Sequence, residues 1–231
     1  MTDKKVSRRD FIATTSVAAT TAVAGTAAGH VHAQEAEEFV QSDYSVRAKA
    51  LVSVLTKKNL VDPATMDAVV EFYETQVGPH IGARLVARSW LDPEFRARLL
   101  ADARAVAREE NLTGLQGTDL VAVENTPEVH NLVVCTLCSC YPWTVLGLPP
   151  TWYKDTGYRA RAVIDPRGVL EEFGLKLADD VEVRVWDSTA EIRYLVIPER
   201  PPGTKGMSQD ELARLVTRDS MVGAEKLRAP A

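Results

Sequence analysis

All three cysteines of this 231-residue chain lie in one short segment, at Cys135, Cys138 and Cys140. The apolar residues 132–134 come directly before it and are typical of the end of a buried strand. Three thiols this close together require a sharp bend of the backbone. Any fold for this chain must therefore place a tight turn, with its sulfur atoms clustered, at the end of a core strand.

The residues alone leave three interpretations of the C-x2-C-x-C spacing open. A disulfide could join one pair, but such short loops are strained and one thiol would remain unpaired. A structural zinc site needs four tetrahedral ligands, and the nearest histidine, His130, lies five residues before Cys135. A claw of three thiolates could instead hold one face of a metal ion and leave the opposite face open, as catalysis requires. Thiolates favour cobalt, iron, copper or zinc over magnesium and calcium.

Several other segments belong with the cysteine cluster. Residues 134–140 are Val-Cys-Thr-Leu-Cys-Ser-Cys and residues 147–154 are Gly-Leu-Pro-Pro-Thr-Trp-Tyr-Lys. Together with residues 121–126, 158–161, 183–187, 191–194 and 200–204, they resemble the α subunit of nitrile hydratase. The resemblance covers residues 44–224. The catalytic subunit of thiocyanate hydrolase shares this claw and fold, and it is the first alternative. A periplasmic metal-binding or redox protein without catalysis is the second, and it would hold a coordinatively saturated metal ion.

The resemblance implies an enzyme that hydrates a nitrile to an amide at a non-corrin trivalent cobalt ion, one ion per α subunit. Cys135, Cys138, Cys140 and the backbone nitrogens of Ser139 and Cys140 would bind the ion, and a sixth position would face the substrate. Cys138 would be oxidised to a sulfinate and Cys140 to a sulfenate, the candidate nucleophile or base. The Ser139 hydroxyl would hold the claw. Thr136, where iron-type relatives have serine, favours cobalt, and Fe(III) is the less favoured ion.

Four further polar residues match positions of that family. Gln116 lies nineteen residues before Cys135 and could orient water or the developing amide, or it could be a solvated loop residue. Lys154, Arg159 and Arg193 are expected to anchor the claw or a subunit interface, although single charges such as these could equally be solvated.

The resemblance also implies partners. These are a β subunit, in an αβ heterodimer or heterotetramer, a cobalt-loading activator protein, and a small nitrile as substrate. The β subunit would supply the arginines that contact the oxidised sulfurs. The net charge of -5 and the lack of a basic stripe argue against nucleic acid as a partner. No stretch after residue 33 is apolar and long enough to predict a membrane span.

Residues 1–33 are predicted to be a twin-arginine export signal. Residues 7–12 are Ser-Arg-Arg-Asp-Phe-Ile, residues 12–28 are mildly apolar, and residues 31–33 form an acceptable cleavage site. The mature chain would then start near Gln34 and be periplasmic or otherwise exported. If the signal is not used, this segment is a basic tail and the chain is cytoplasmic.

The rest of the chain predicts an α+β fold in two parts. Residues 34–110 form a helical arm, which could grip a partner subunit or be a local helical hairpin; Asp62-Pro63 and Asp92-Pro93 mark helix starts within it. Residues 111–231 form a metal-binding catalytic domain, which the resemblance implies is a layered α/β/β/α domain. Its predicted strands are residues 120–124, 132–134, 159–164, 181–186 and 192–197. Helices are predicted at residues 165–173 and after Ser208.

Overall fold

The computed structural model describes residues 43–112 and 119–228. The first of these ranges consists of helices joined by short turns. Its helices are α1 (Asp43–Lys57), α2 (Pro63–Phe72), α3 (His80–Leu91), α4 (Pro93–Ala101) and α5 (Ala103–Glu109), and a π-helical turn, Tyr73–Val77, continues α2. None of the helices in these two ranges has the length and apolar character that crossing a membrane would need.

The second range mixes strands with short helices. Its strands are β1 (Asp119–Glu124), β2 (Val129–Val134), β3 (Glu182–Asp187) and β4 (Ile192–Ile197). Its helices are α6 (Trp143–Leu146), α7 (Thr151–Lys154), α8 (Thr156–Ile164), α9 (Pro166–Glu172) and α10 (Gln209–Leu215), followed by a 3-10 turn, Ser220–Val222. The mixture of helices and strands confirms the predicted α+β class.

The strands form two parallel pairs that lie between layers of helices. β1 pairs with β4, and β2 pairs with β3 in a register that ends with Val134 opposite Asp187. Helices α4 and α5 pack on β1, while α8 packs on β2 and α9 on β3. Since β2 also contacts β1 and β4, the two sheets face each other. This arrangement is the α/β/β/α layering that the resemblance implied.

Aspartate and serine caps set most helix starts, as the sequence predicts. The Asp62 and Asp92 carboxylates accept hydrogen bonds from the first turns of α2 and α4, and each is followed by proline at the first helical position. Ser208 forms a capping box with Glu211 at the start of α10. Asp102 caps α5, so residues 93–109 form two helices rather than one.

The prediction of a strand at residues 159–164 is wrong, because these residues lie in α8. The Asp155 carboxylate accepts hydrogen bonds from the backbone amides of Gly157 and Tyr158, which starts the helix. Tyr158 and Ala162, four positions apart, are both fully buried. A helix presents this pair on one face, so the segment buries its apolar side chains without joining a sheet.

The helices before residue 110 differ in how deeply they are buried. Val86, Phe95 and Leu99 on α3 and α4 belong to the hydrophobic core that includes the strands. The apolar side chains of α1 and α2 are exposed instead; they are Val46, Leu51, Val54, Met66, Val69, Val70 and Phe72. The exposed apolar face in the described residues therefore belongs to α1 and α2. The division of the chain into two parts at residues 110 and 111 stays a prediction.

The end of α2 packs against the segment that follows the cysteines. The rings of Tyr73 and Trp143 meet edge to face, with their centroids 5.5 Å apart. Gly147 has a φ of +70°, and a Cβ there would lie 2.7 Å from the Tyr73 carbonyl oxygen. Glycine is therefore required at this contact between the helical arm and the cysteine segment.

Candidate metal centre

The cysteine segment begins at the point where β2 ends. Because β2 and β3 are parallel, Val134 and Asp187 finish their strands at the same edge of the sheet. The Asp187 carboxylate accepts hydrogen bonds from the backbone amide of Thr136 at 2.9 Å and from its hydroxyl at 2.5 Å. One side chain thus turns the chain away from the sheet immediately after Cys135.

The three sulfur atoms cluster without forming a disulfide. The Cys135 and Cys138 sulfurs lie 3.4 Å apart, the Cys138 and Cys140 sulfurs 3.0 Å apart, and all three lie within 4.8 Å of one another. A disulfide bond is about 2.05 Å long. Two thiolates bound to one ion at about 2.3 Å lie roughly 3.3 Å apart at right angles and roughly 3.8 Å apart at tetrahedral angles. The observed spacings fit a shared ion with ligands at right angles.

The surroundings of the cluster do not favour a structural zinc site. Among the described residues, no fourth cysteine, histidine or carboxylate joins the three sulfurs. The His130 ring is bonded to the carbonyl oxygen of Gly223 and the side chain of Asn125. Cys135 is fully buried and Cys138 is exposed, so the cluster has an inner and an outer side. Three soft ligands with an exposed side suit a catalytic ion.

The cysteines differ in how readily they lose their protons. The hydrogen bond from the Cys140 thiol lowers the pKa of Cys138, and backbone amides of Ser139 and Cys140 that point at its sulfur lower it further. Burial raises the pKa of Cys140 to about 12, and the neighbouring Cys138 sulfur adds to this rise. Arg193 opposes this rise in the pKa of Cys140. The pKa of Cys138 therefore lies below that of Cys140, and Cys138 loses its proton more readily.

Two side chains hold the backbone carbonyl groups of Cys138 and Cys140. The Tyr153 hydroxyl donates to the carbonyl oxygen of Cys140 at 2.9 Å, and Arg159 Nη1 donates to the carbonyl oxygen of Cys138 at 2.8 Å. Burial raises the pKa of Tyr153, which keeps its hydroxyl protonated as a donor. With Asp187 at Thr136, alternate residues of the claw are fixed from outside it.

The predicted site residues are only partly brought together. Cys135, Cys138 and Cys140 converge, but no described residue makes a hydrogen bond with the Ser139 hydroxyl. The role predicted for that hydroxyl therefore stays a prediction. Gln116 lies outside the described residues. Of the cations expected to anchor the claw, Arg159 contacts it directly, Arg193 is buried near Cys140 and Lys154 is exposed.

Sequence reasoning did not identify Asp187 and Tyr153 as residues that hold the claw. Asp187 stands 51 residues after Thr136, and Tyr153 stands 13 residues after Cys140. The end of a polar-apolar strand at Asp187 could have marked it as a residue at the sheet edge. Tyr153 gave no comparable signal, because an aromatic residue after a buried loop usually packs in the core.

Comparison with known proteins finds relatives that match most of this chain. Residues 42–225 match the family described as nitrile hydratase, alpha chain. The chain is 54% identical to the low-molecular weight cobalt-containing nitrile hydratase subunit alpha of Rhodococcus rhodochrous, over 81% of this chain and 91% of that one. It is 39% identical to thiocyanate hydrolase subunit gamma of Thiobacillus thioparus, over 79% of each chain. A double mutant of the Fe-type nitrile hydratase from Comamonas testosteroni Ni1 superposes with a TM-score of 0.73 at 40% identity, covering 81% of this chain and 91% of that one.

Proposed function

Because the chain belongs to the nitrile hydratase α-chain family, we propose that it is the metal-binding subunit of a cobalt-dependent enzyme that adds water to a nitrile and releases the amide. One observation carries the proposal: Cys135, Cys138 and Cys140 hold their sulfurs at the spacing that suits one ion with ligands at right angles. Trivalent cobalt supplies, when bound, the Lewis acidity that polarises a nitrile or a water molecule.

The chain itself determines which side of the cluster substrate can approach. Cys135 is fully buried against the sheet, which closes the inner side. Cys138 is exposed, and Leu137 at the tip of the claw is 87% exposed. An exposed leucine beside a reactive cluster suits a site that a partner subunit completes. Substrate would therefore approach from the side of Cys138, between this chain and its partner.

We include oxidation of two cysteines in the proposal, Cys138 to a sulfinate and Cys140 to a sulfenate, with dioxygen from solution as the oxidant and the source of the added oxygen atoms. Oxidation follows thiolate character and exposure. Cys138 is exposed and has the lowered pKa, whereas Cys140 is partly buried and has the raised pKa. The greater exposure and lower pKa of Cys138 support more extensive oxidation there, with two oxygens on Cys138 and one on Cys140. Mass spectrometry of the cobalt-loaded protein should find about 32 Da added to Cys138 and about 16 Da added to Cys140.

Cobalt is the proposed ion because a relative at 54% identity is named as cobalt-containing, whereas the Fe-type structure is 40% identical. Elemental analysis should find one cobalt per chain and little iron. Stoichiometric iron without cobalt would reject this choice and leave the nitrile chemistry open.

The test of the activity uses the complex purified with its partner subunit and loaded with cobalt. Acrylonitrile should be converted to the amide, and Cys135→Ser, Cys138→Ser and Cys140→Ser should each remove both the ion and the activity. Parent activity in any of these variants would refute the proposed site. Because the chain is also related to a thiocyanate hydrolase subunit, thiocyanate should be assayed in parallel. Release of carbonyl sulfide and ammonia, without hydration of the nitrile, would establish that alternative.

The exposed apolar face of α1 and α2 supports a β subunit as the partner, in an αβ heterodimer or heterotetramer. Val69, Val70 and Phe72 are each more than 40% exposed on α2 or its end. Val70→Asp should weaken association of the two subunits, measured by size-exclusion chromatography, without changing the content of folded α subunit. Asp67→Asn on the same helix is the control, because it leaves the apolar face intact. Equal association of Val70→Asp and parent would remove this face from the interface.

Export by the twin-arginine route is also proposed, on the sequence of residues 7–12 and 31–33. These residues lie outside the ranges that the structure describes. Cell fractionation of the native host should find the chain in the exported fraction with its N-terminus near Gln34. Replacing Arg8 and Arg9 by lysine should retain it in the cytoplasm.

A further inference from the structure

Arg159 is a cation whose contacts differ from those of the arginine two positions along. Arg161, on the same helix α8, makes a two-bond ion pair with Glu172 at 2.5 and 2.9 Å. No carboxylate of the described residues lies within ion-pair distance of Arg159. Its Nη1 donates to the Cys138 carbonyl oxygen at 2.8 Å, and its buried Nε has no acceptor among those residues. The guanidinium charge is therefore directed at the claw.

The peptide group that Arg159 contacts is the one between Cys138 and Ser139. A trans peptide group is planar, so its carbonyl oxygen and its N–H point in opposite directions. Holding the Cys138 oxygen on one side therefore fixes the direction of the Ser139 N–H on the other. The backbone amides of Ser139 and Cys140 lie near enough to the Cys138 sulfur to lower its pKa. Arg159 thus fixes, through one hydrogen bond, how the backbone between two sulfurs faces the cluster.

The charge of Arg159 matters as well as its geometry. During loading with cobalt(II), three thiolates around the divalent ion leave one excess negative charge, and a cation within hydrogen-bond reach of the same loop stabilises that state. Arg193, buried near Cys140, is the second cation at the site. Arg159 is the one of these two that contacts the claw backbone.

We propose that Arg159 is a positioning residue for metal loading: it holds the Cys138–Ser139 peptide with its amide toward the sulfurs and offsets the negative charge of the loaded claw. The proposal rests on the metal site of the proposed function and deepens it. Arg159 contacts the carbonyl oxygen of Cys138 rather than a sulfur atom, so it acts through the backbone of Cys138 and Ser139. Residues that orient metal ligands from outside commonly change metal affinity 10–100-fold when replaced.

The test measures cobalt affinity rather than turnover. The purified complex, stripped of metal, is titrated with cobalt(II) chloride against a competing chelator, and the sulfur-to-cobalt absorption band is recorded. Arg159→Met should weaken cobalt binding about 10–100-fold and shift that band. Arg159→Lys keeps the charge and one donor, so it should recover part of the affinity. Arg161→Met removes the same charge from the same helix and should bind cobalt like the parent.

The controls separate a positioning role from a loss of structure. Arg159→Lys serves as the deciding variant if Arg159→Met does not fold, and thermal unfolding of the metal-free complexes establishes which of them fold. Parent-like affinity and absorption in a folded Arg159→Met or Arg159→Lys protein would overturn the proposal while leaving the proposed function intact. A parent complex that binds no cobalt would instead reject the cobalt site of the proposed function.

Discussion

The hydroxyl of Tyr153 donates a hydrogen bond to the carbonyl oxygen of Cys140 at 2.9 Å, which ties α7 to the last residue of the claw. Tyr153→Phe removes this donor and leaves the ring in place. We expect the free energy of unfolding to fall by about 1 kcal/mol and cobalt to be lost faster to a chelator. Tyr158→Phe is the matched control, because the Tyr158 hydroxyl donates to Val133 of β2 at 2.6 Å. If both variants lose cobalt at the same rate, the Tyr153 bond does not position the claw.

The bond between Thr136 and Asp187 gives a second prediction. Thr136→Val keeps the shape of the side chain and removes the hydroxyl that donates to Asp187 at 2.5 Å. The variant should lose about 1 kcal/mol of stability and should release cobalt faster. Thr136→Ser keeps the hydroxyl and should resemble the parent in both measurements. A serine variant that behaves like the valine variant would show that the threonine methyl group, rather than the hydrogen bond, is what matters.

The features that sequence predicted well depend on residues close together in the chain. Asp92 and Ser208 start helices through contacts within three residues, so their patterns are visible in the sequence. The cysteine cluster was visible for the same reason, since its three members span six positions. Its match to a known family then indicated the layered fold.

Contacts between distant residues were not predictable in this way. The contact of Thr136 with Asp187 depends on the register of two parallel strands, which hydrophobic pattern alone does not specify. The segment at residues 159–164 alternates polar and apolar side chains like a strand. The segment is a helix because Asp155 caps its start and because Tyr158 and Ala162 are buried on one face. That burial depends on packing against distant residues, which the sequence pattern does not show.

Gly223 makes a third prediction, on stability. Its φ is +83°, and a Cβ there would lie 1.8 Å from the carbonyl oxygen of Asn131 in β2. Gly223→Ala should therefore cost about 3 kcal/mol or more, because the backbone at Asn131 has to move. Gly174 has a similar φ of +81° with no atom within 4 Å of the added Cβ. Gly174→Ala should cost only about 1–2 kcal/mol from the left-handed conformation. If urea unfolding shows equal losses of free energy of unfolding in Gly223→Ala and Gly174→Ala, the proposed clash at Asn131 is contradicted.

The same region holds a buried histidine in a network that requires its neutral form. His130 Nε2 lies 2.7 Å from the carbonyl oxygen of Gly223 and must donate to it. Asn125 Oδ1 accepts two hydrogen bonds from Asn131, which directs the Asn125 amide group toward His130 Nδ1 at 3.3 Å. His130 Nδ1 is therefore an acceptor. A proton on Nδ1 would face the N–H group of the Asn125 amide, which is also a donor.

This network predicts that the protein loses stability as the pH falls. Burial lowers the pKa of His130 and Lys226 lowers it further, against the opposing effects of the Gly223 carbonyl and Glu199. Just below pH 6.5, His130 therefore binds a proton in the unfolded chain but remains neutral in the folded chain. The stability is fully present above pH 6.5, the ordinary pKa of histidine, and falls below it by up to about 1.4 kcal/mol per pH unit. His130→Gln should flatten this slope in urea unfolding between pH 7.5 and 5.5, whereas His80→Gln, at an exposed site, should not. A parent-like slope in His130→Gln would assign the acid sensitivity to other groups.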